Sequence, residues 1–383
     1  MSTQQKDWWG APRTITNTIA NRKISWLELF SDLIYVVIIH SFVENLSEHF
    51  SLQGFITFWV LFLFFFNTWT NMVLYFDLHG VPNLRNTCFS LLQIVAVAIT
   101  ATFTTDVFAG HYTEFILAYS FNQLIYMYLY LQTMISDPLH GTTARPFLIS
   151  YTFGELLFIG SIWVPTPVWQ QGLIIFSLLI FVSTVMFESK NFDAEFNRRH
   201  IPFNVNPAIL ERYGLFTMIV LGESLADIIE RMAEAHTHLA DYNHFVLALL
   251  CVIGTWMIYF TLMDERTIEA KRYWPVSLFR GIHRFLIACL TLQSFFISQT
   301  LTTGKPVYYH GLLIVCALIL LALLALTRPA LFNVHPLPKA KVVTFVIGIG
   351  VIGLMSVVPT YLGLFVVDFI LVGLGVYTWI DKD

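Results

Sequence analysis

The stretch Trp26-Leu-Glu28-Leu-Phe30-Ser-Asp32-Leu-Ile-Tyr35-Val-Val-Ile-Ile-His40-Ser41 sets two carboxylates and a histidine inside an apolar run long enough to cross a bilayer. Charge in hydrocarbon is costly and is kept where it works, so this run points both to the fold and to the function. Glu28 and Asp32 stand four residues apart and share one helix face. The 1.5 Å rise places Asp32 roughly 12 Å beyond a helix start near Ile24. Glu28, in the first turn, complements the helix dipole. Asp32 lies deeper and needs a partner, a proton or a wet cavity. His40 follows about two turns later and is the side chain type that titrates near neutral pH.

The composition agrees with a membrane solvent. Hydrophobic residues make up 56% of the 383, charged residues only 12%, and the mean hydropathy is +0.68. An all-α polytopic membrane protein follows. The aromatic content of 16% suits lipid-facing surfaces and interfacial belts, and without a Lys/Arg-rich run nucleic acid is excluded as a ligand. Cys88, Cys251, Cys289 and Cys316 lie in apolar runs without metal-ligand or redox spacing, which reads as buried free thiols. The first two dozen residues are polar and carry no signal-peptide pattern, so the first span is expected to target the chain.

Apolar stretches fall near 24–44, 53–76, 84–108, 113–135, 146–163, 172–188, 207–231, 243–263, 277–300, 309–327, 341–358 and 361–379. About twelve spans follow, the least distinct being the fifth, ahead of Pro165 and Pro167, and the last two, divided only by Val358-Pro359-Thr360. With both termini cytoplasmic, every Lys and Arg except Arg231 and Lys305 falls on the inner side, as the positive-inside rule requires.

The seventh stretch, Glu211-Arg-Tyr-Gly-Leu-Phe-Thr-Met-Ile-Val-Leu-Gly-Glu223-Ser224, repeats the theme of the first. Placing Glu28 over Glu211 sets His40-Ser41 over Glu223-Ser224. After a short shift, Thr68-Trp69 lies over Thr255-Trp256 and Asp77 over Asp264. Two parallel six-helix repeats are expected, residues 1–200 and 201–383, related by an axis along the membrane normal with a site at their interface. Glu223 lies roughly 18 Å past the inner end, close to mid-bilayer. Glu223, Asp227 and Glu230 form one stripe in which like charges cannot all ionise together. That stripe is either an acidic cavity wall for protons or cations, or a structural seam pairing Glu223 with His283 or Arg284.

Glu155 and Asp368 are isolated acids in apolar surroundings, each either a relay group or a neutral hydrogen-bonded acid. Asn67, Gln93, Asn122, Gln123 and Gln293 read as interhelical glue. Gly348, Gly350, Gly353, Gly363, Gly373 and Gly375 offer close-packing faces for a hairpin or a homodimer. No phosphate-binding loop, nucleophile elbow, HExxH or dinucleotide fingerprint occurs in its required context. His111, His140, His200, His236 and His238 are scattered in loops, and the loops are too short for a soluble catalytic domain. No cofactor or metal is expected.

Trp26-Leu27-Glu28-Leu29-Phe30-Ser31-Asp32 and Glu211 to Ser224 resemble the bacterial low temperature requirement A family, whose first span usually has Phe where Ser31 stands. The likeness extends over most of the chain, including Phe76-Asp77 and Leu92-Gln93. It implies a bacterial cytoplasmic (inner) membrane protein; the family takes its name from a growth phenotype, and no substrate comes with it. Phe30-Ser31-Asp32 is also similar to the pore-helix signature of endolysosomal and bacterial potassium channels built from six-span repeats, although Trp26 stands where that family has Arg.

The leading expectation is an ion (proton or cation) or small-solute transporter or channel. Asp32 and Glu223 are its central charged positions, Glu28, His40 and Asp227 support them, and the bilayer and an inorganic cation or proton are the partners. The alternatives are an intramembrane lipid-modifying enzyme, with Glu211, Arg212, His283 and Arg284 clustered at the inner face, and a non-transporting scaffold or sensor linked to cold growth.

Overall fold

A computed structural model describes residues 9–15, 22–187, 189–201, 207–234, 242–263, 272–328 and 337–380. The described residues are helical: α1 (Trp26–Glu48), α2 (Leu52–His79), α3 (Leu84–Thr102), α4 (Thr104–Phe108), α5 (Thr113–Ser136), α6 (Pro138–Gly160), α7 (Pro167–Phe187), α8 (Ser189–Arg199), α9 (Pro207–Glu234), α10 (Tyr242–Met263), α11 (Tyr273–Thr303), α12 (Pro306–Leu326), α13 (Lys339–Leu354) and α14 (Thr360–Ile380). Among the described residues, ten helices are long and apolar enough to cross a membrane. The expected fourth and seventh spans are present as α5 and α9, of 24 and 28 residues, but too polar to join those ten.

Local chemistry sets the helix ends. Ser25 and Glu28 form a reciprocal capping box at the start of α1, Ser51 caps α2 and Asn83 caps α3. Asp137 caps α6 with Pro138 at its first position, which starts this helix well before the expected 146. Pro146 is carried inside it, as membrane helices tolerate. The expected third span breaks at Phe103, and the five-residue α4 follows. The last two spans are separate helices, joined through a 3-10 turn at Met355–Val357.

The chain divides into two compact units, Met1–Ile209 with Lys271–Ser277, and Leu210–Ala270 with Leu278–Asp383. In the first, α2 is the central element: every residue from Phe64 to His79 is buried. It packs on α1, α5 and α7, while α5 packs on α3 and α6, and α6 on α7. In the second unit α10 packs along α14, and α12, α13 and α14 pack in sequence. The approach of α10 and α14 is close, since a Cβ added to Gly254 would stand 2.7 Å from Leu371 Cβ and one added to Gly375 would stand 2.7 Å from Met257 Cβ. Gly350, Gly353 and Gly373 face no neighbour, so only part of the expected glycine surface is used for packing within the unit.

Candidate functional site

The first unit holds a buried polar seam that runs along α2. At its α1 side, Arg22 closes a two-pronged ion pair on Glu28 at 2.7 and 2.9 Å, and Ser25 Oγ donates to the same carboxylate at 2.8 Å. Glu28 is therefore engaged in capping and charge pairing. One turn deeper, Asp32 is fully buried and its Oδ1 accepts from the Trp69 indole N–H at 2.7 Å. His40 lies off this seam, 30% exposed, with Nε2 3.4 Å from the exposed Glu44.

Beyond Trp69, α2 turns amides and hydroxyls toward α5 and α6. Thr68 Oγ1 donates to the Tyr119 hydroxyl at 3.2 Å and accepts from Asn122 at 3.3 Å. Asn67 and Asn71 both donate to the Tyr151 hydroxyl, at 3.2 and 2.6 Å, and Tyr151 donates in turn to the Phe181 carbonyl. Glu155, one turn after Tyr151, is buried, and neither oxygen has a hydrogen-bond partner; Ser120 and Tyr119 are the polar groups that act on it. Toward the start of α2 a cavity of about 440 Å³ opens among α2, α5 and α7, floored by Phe64 and Phe115 and edged by Gln53, Tyr112 and Gln171. The Phe64 ring, 4.8 Å from that of Tyr119, separates this cavity from the seam.

At the other end of α2 the charges gather. Arg13 donates to the Leu78 and Asp77 carbonyls, and Arg22 Nε stands 4.0 Å from Asp77 Oδ1. His79 Nδ1 lies 3.0 Å from the Arg13 carbonyl, and His140 Nδ1 lies 2.9 Å from Glu195 Oε2. Arg199 pairs with Glu195 at 3.0 Å and grips both oxygens of Asp137 at 2.9 and 3.1 Å. Burial alone would push the Asp137 carboxyl up, but Arg199 and the N–H groups of His140 and Ile15 hold it below its ordinary value. Arg13 is pulled below its ordinary value by burial, against the pull of Asp77.

The second unit holds the other expected residues. Glu211 is exposed, Arg212 is buried, and Glu223 is half-buried. Asp227 is buried and accepts from Arg231 Nε at 2.9 Å, whereas Glu230 is exposed, so the acidic stripe straddles a boundary between interior and surface. His283 is buried with Nε2 3.1 Å from the Tyr259 hydroxyl and its ring 4.2 Å from Phe279; Arg284 is half-buried. Gln293 Nε2 donates to Thr255 Oγ1 at 3.0 Å beside Cys251 and Cys316, whose sulfurs are 3.9 Å apart. Asp264, His236 and His238 lie outside the described residues. Among the described residues no three His, Cys, Asp or Glu side chains are placed to hold a metal.

Over residues 23–376 the chain matches the family described as bacterial low temperature requirement A protein (LtrA). The chain belongs to this family. No curated protein and no solved structure matches it.

Within this LtrA chain, sequence reasoning found Asp32 but missed the groups around it. In the sequence Trp69 figures only as the counterpart of Trp256, and nothing in its neighbours marks it as a donor to α1. The expected superposition of Thr68-Trp69 on Thr255-Trp256 holds in burial for the threonines only, since Trp69 is fully buried and Trp256 is 44% exposed. Cys88 is exposed, unlike the other three thiols. His140, read as a loop histidine, is a buried helical residue facing His79. The spacing of the α2 polar residues, 67, 71, 75 and 79, was the available signal: four-residue steps put them on one face.

Proposed function

We propose that this LtrA-family protein is an ion transporter or channel, for protons or another inorganic cation, of the bacterial cytoplasmic membrane. The observation that carries this reading is Asp32: a carboxyl group fully buried within a spanning helix, bound by a neutral indole donor and opening onto the α2 seam. A group used only for packing would be less costly as Asn or Leu. Glu223, which the superposition sets over His40, and Asp227 are the acids of the second half, Glu28 and His40 flank Asp32 on the first helix, and Arg212, Glu211, His283 and Arg284 are the charge partners, on α9 and α11. The half-buried setting of Glu223 suits a group that meets both a water-filled cavity and the protein interior.

The same reading takes α5 and α9 as crossing helices, giving twelve spans in two parallel repeats with both termini cytoplasmic. The recurrence of one packing relation supports it: the second span lies on the sixth in each half, α2 on α7 and α10 on α14. Polar spans such as α5 and α9 are what a transport path requires, since the side chains that line water cannot also be apolar.

The test is flux through the purified protein in liposomes under proton, sodium and potassium gradients. Asp32→Asn and Glu223→Gln are each expected to reduce flux by about a hundredfold, the scale of removing a proton-transfer group, while the melting temperature stays near wild type. Undiminished flux in both variants would remove these residues from the path. Lost flux accompanied by collapse of the fold would make them packing residues.

A further inference from the structure

Two buried histidines meet where the α2 seam reaches the cluster of Arg13, Asp137, Glu195 and Arg199. His79 and His140 are both at most 1% exposed, with ring centroids 5.1 Å apart. Each has its Nδ1 assigned a partner, the Arg13 carbonyl for His79 and the Glu195 carboxylate for His140. A carbonyl oxygen only accepts, so His79 Nδ1 carries a proton, and Nε2 of the neutral ring is then a bare acceptor. That nitrogen is buried without a hydrogen-bond partner. A second imidazole lies beside it, backed by a carboxylate and open to rearrangement of its own proton.

We propose that Glu195, His140 and His79 form the proton-loading site of the chain, delivering protons from the arginine-rich face into the α2 seam. The proposal deepens the transport reading by naming the ion, and it rests on that reading for its flux. The charges around the pair favour a proton over a metal cation. Glu195 and Asp137, the carboxylates beside the pair, are both held by Arg199 and not left to ligate a cation, and the charge of Arg13 bears on His79. A proton moves by exchange of hydrogen bonds and needs only alternating donors and acceptors.

The step balances without any other reactant. His140 takes a proton on its free ring nitrogen from the face, with Glu195 holding the resulting imidazolium, and passes it to His79 Nε2 directly or through one water. His79, now protonated at both nitrogens, gives up the Nε2 proton toward the phenols of α2 and α5 as its ring turns off the Arg13 carbonyl, and is neutral again when Nδ1 rebinds it. The nearest phenols are Tyr75, whose hydroxyl donates to Asn86 Oδ1, and Tyr130, with ring centroids 5.8 and 6.4 Å from that of His79. The Tyr126 ring, with its centroid 4.8 Å from that of Tyr130 and 5.7 Å from that of Tyr151, lies between these and the amides of Asn71 and Asn67, and waters would have to bridge the gaps between the hydroxyls. The titratable and charged groups that bear on the pair are thus Arg13, Asp77, Asp137, Glu195, Arg199, Tyr75 and Tyr130.

His79→Asn and His140→Asn test this. The Asn amide can keep the hydrogen bond made by Nδ1, so the anchoring to Arg13 and Glu195 is retained while Nε2 is deleted. In liposomes of the full-length protein with an entrapped pH dye, each variant is expected to slow proton uptake by about a hundredfold, with melting temperature preserved. Wild-type vesicles that pass sodium or potassium but no protons, or Asn variants with undiminished proton uptake, would overturn the proposal and leave the transport reading intact. Ring nitrogen NMR of the wild-type protein in detergent gives a readout that needs no flux: His79 should carry its proton on Nδ1 and leave Nε2 bare, the tautomer that the relay needs. A His79 with its proton on Nε2 overturns the loading site, whereas the expected tautomer in vesicles silent to every ion would overturn transport alone.

Discussion

Asp32 and Trp69 show how a single hydrogen bond distinguishes two tryptophans that look alike in the sequence. Trp69→Phe removes the N–H that Asp32 Oδ1 accepts, in a site with no exposure. A hydrogen bond to a charged or buried carboxyl is worth about 1.5–3 kcal/mol, so a clear fall in melting temperature is expected. Trp256→Phe, at a side chain 44% exposed, is expected to cost within about 0.5 kcal/mol. Equal losses in thermal melts would refute the burial difference and restore the superposition of the two halves. Asp137 carries a pH signature as well. Its carboxyl is depressed in the fold, so it contributes stability at pH values above the unfolded value of about 3.9 and loses it as pH falls through the lower folded value. Asp137→Asn should therefore lower the melting temperature at pH 7, and the gap to wild type should close below about pH 4. A gap that persists into acid would mean that shape, not charge, holds Asp137 between Arg199 and Ile15. Neither relation is legible in the sequence: the carboxylates are visible because they interrupt apolar runs, but their donors come from residues 37 and 62 positions away.

Helices are what hydropathy reads well, and here each expected apolar stretch but the third, which divides into α3 and α4, coincides with one helix, even Val358-Pro359 marking a true break. What it reads poorly is the polar end of a span. The expected start of this span at 146 leaves His140-Gly-Thr-Thr-Ala-Arg145 in a loop, yet Asp137 and Pro138 start the helix eight residues earlier and bring His140 into the interior. Glycines are equally opaque, since the sequence cannot say which of them meets another backbone. Gly254 does: its added Cβ would lie 2.7 Å from Leu371 Cβ and 3.0 Å from the Val372 nitrogen, neither of which can swing aside. Gly254→Ala gains about 1 kcal/mol of helix propensity but must part α10 from α14 at an overpacking cost of about 1–3 kcal/mol, so net destabilisation is expected. Gly373→Ala, on the same pair of helices with nothing within 4 Å of the new methyl, should be neutral or mildly stabilising. A melting comparison in detergent checks both, and equal behaviour would mean the α10 and α14 axes are farther apart than described.

For the chain as a whole, the open quantity is the number of crossings, and the charges argue for the larger one. If α5 and α9 cross, the segment around Lys190, Arg198 and Arg199 is cytoplasmic and the uncharged turn at 164–166 is external. If neither crosses, the two exchange sides: three basic residues face outward and an uncharged turn faces inward, against the positive-inside rule. The position of Lys305 is external in both cases, because two missing crossings upstream cancel. Cysteine labelling separates the alternatives in a Cys88→Ser background, the remaining three thiols being buried. Thr166→Cys should react in intact cells with a membrane-impermeant maleimide to the same extent as Lys305→Cys, and Lys190→Cys only after permeabilisation. The reverse pattern, with residue 190 labelled from outside and 166 protected, would fix ten crossings. It would also part His140 from His79, which ends α2 on the cytoplasmic side under either count, so the 5.1 Å approach of the two rings argues for the larger number.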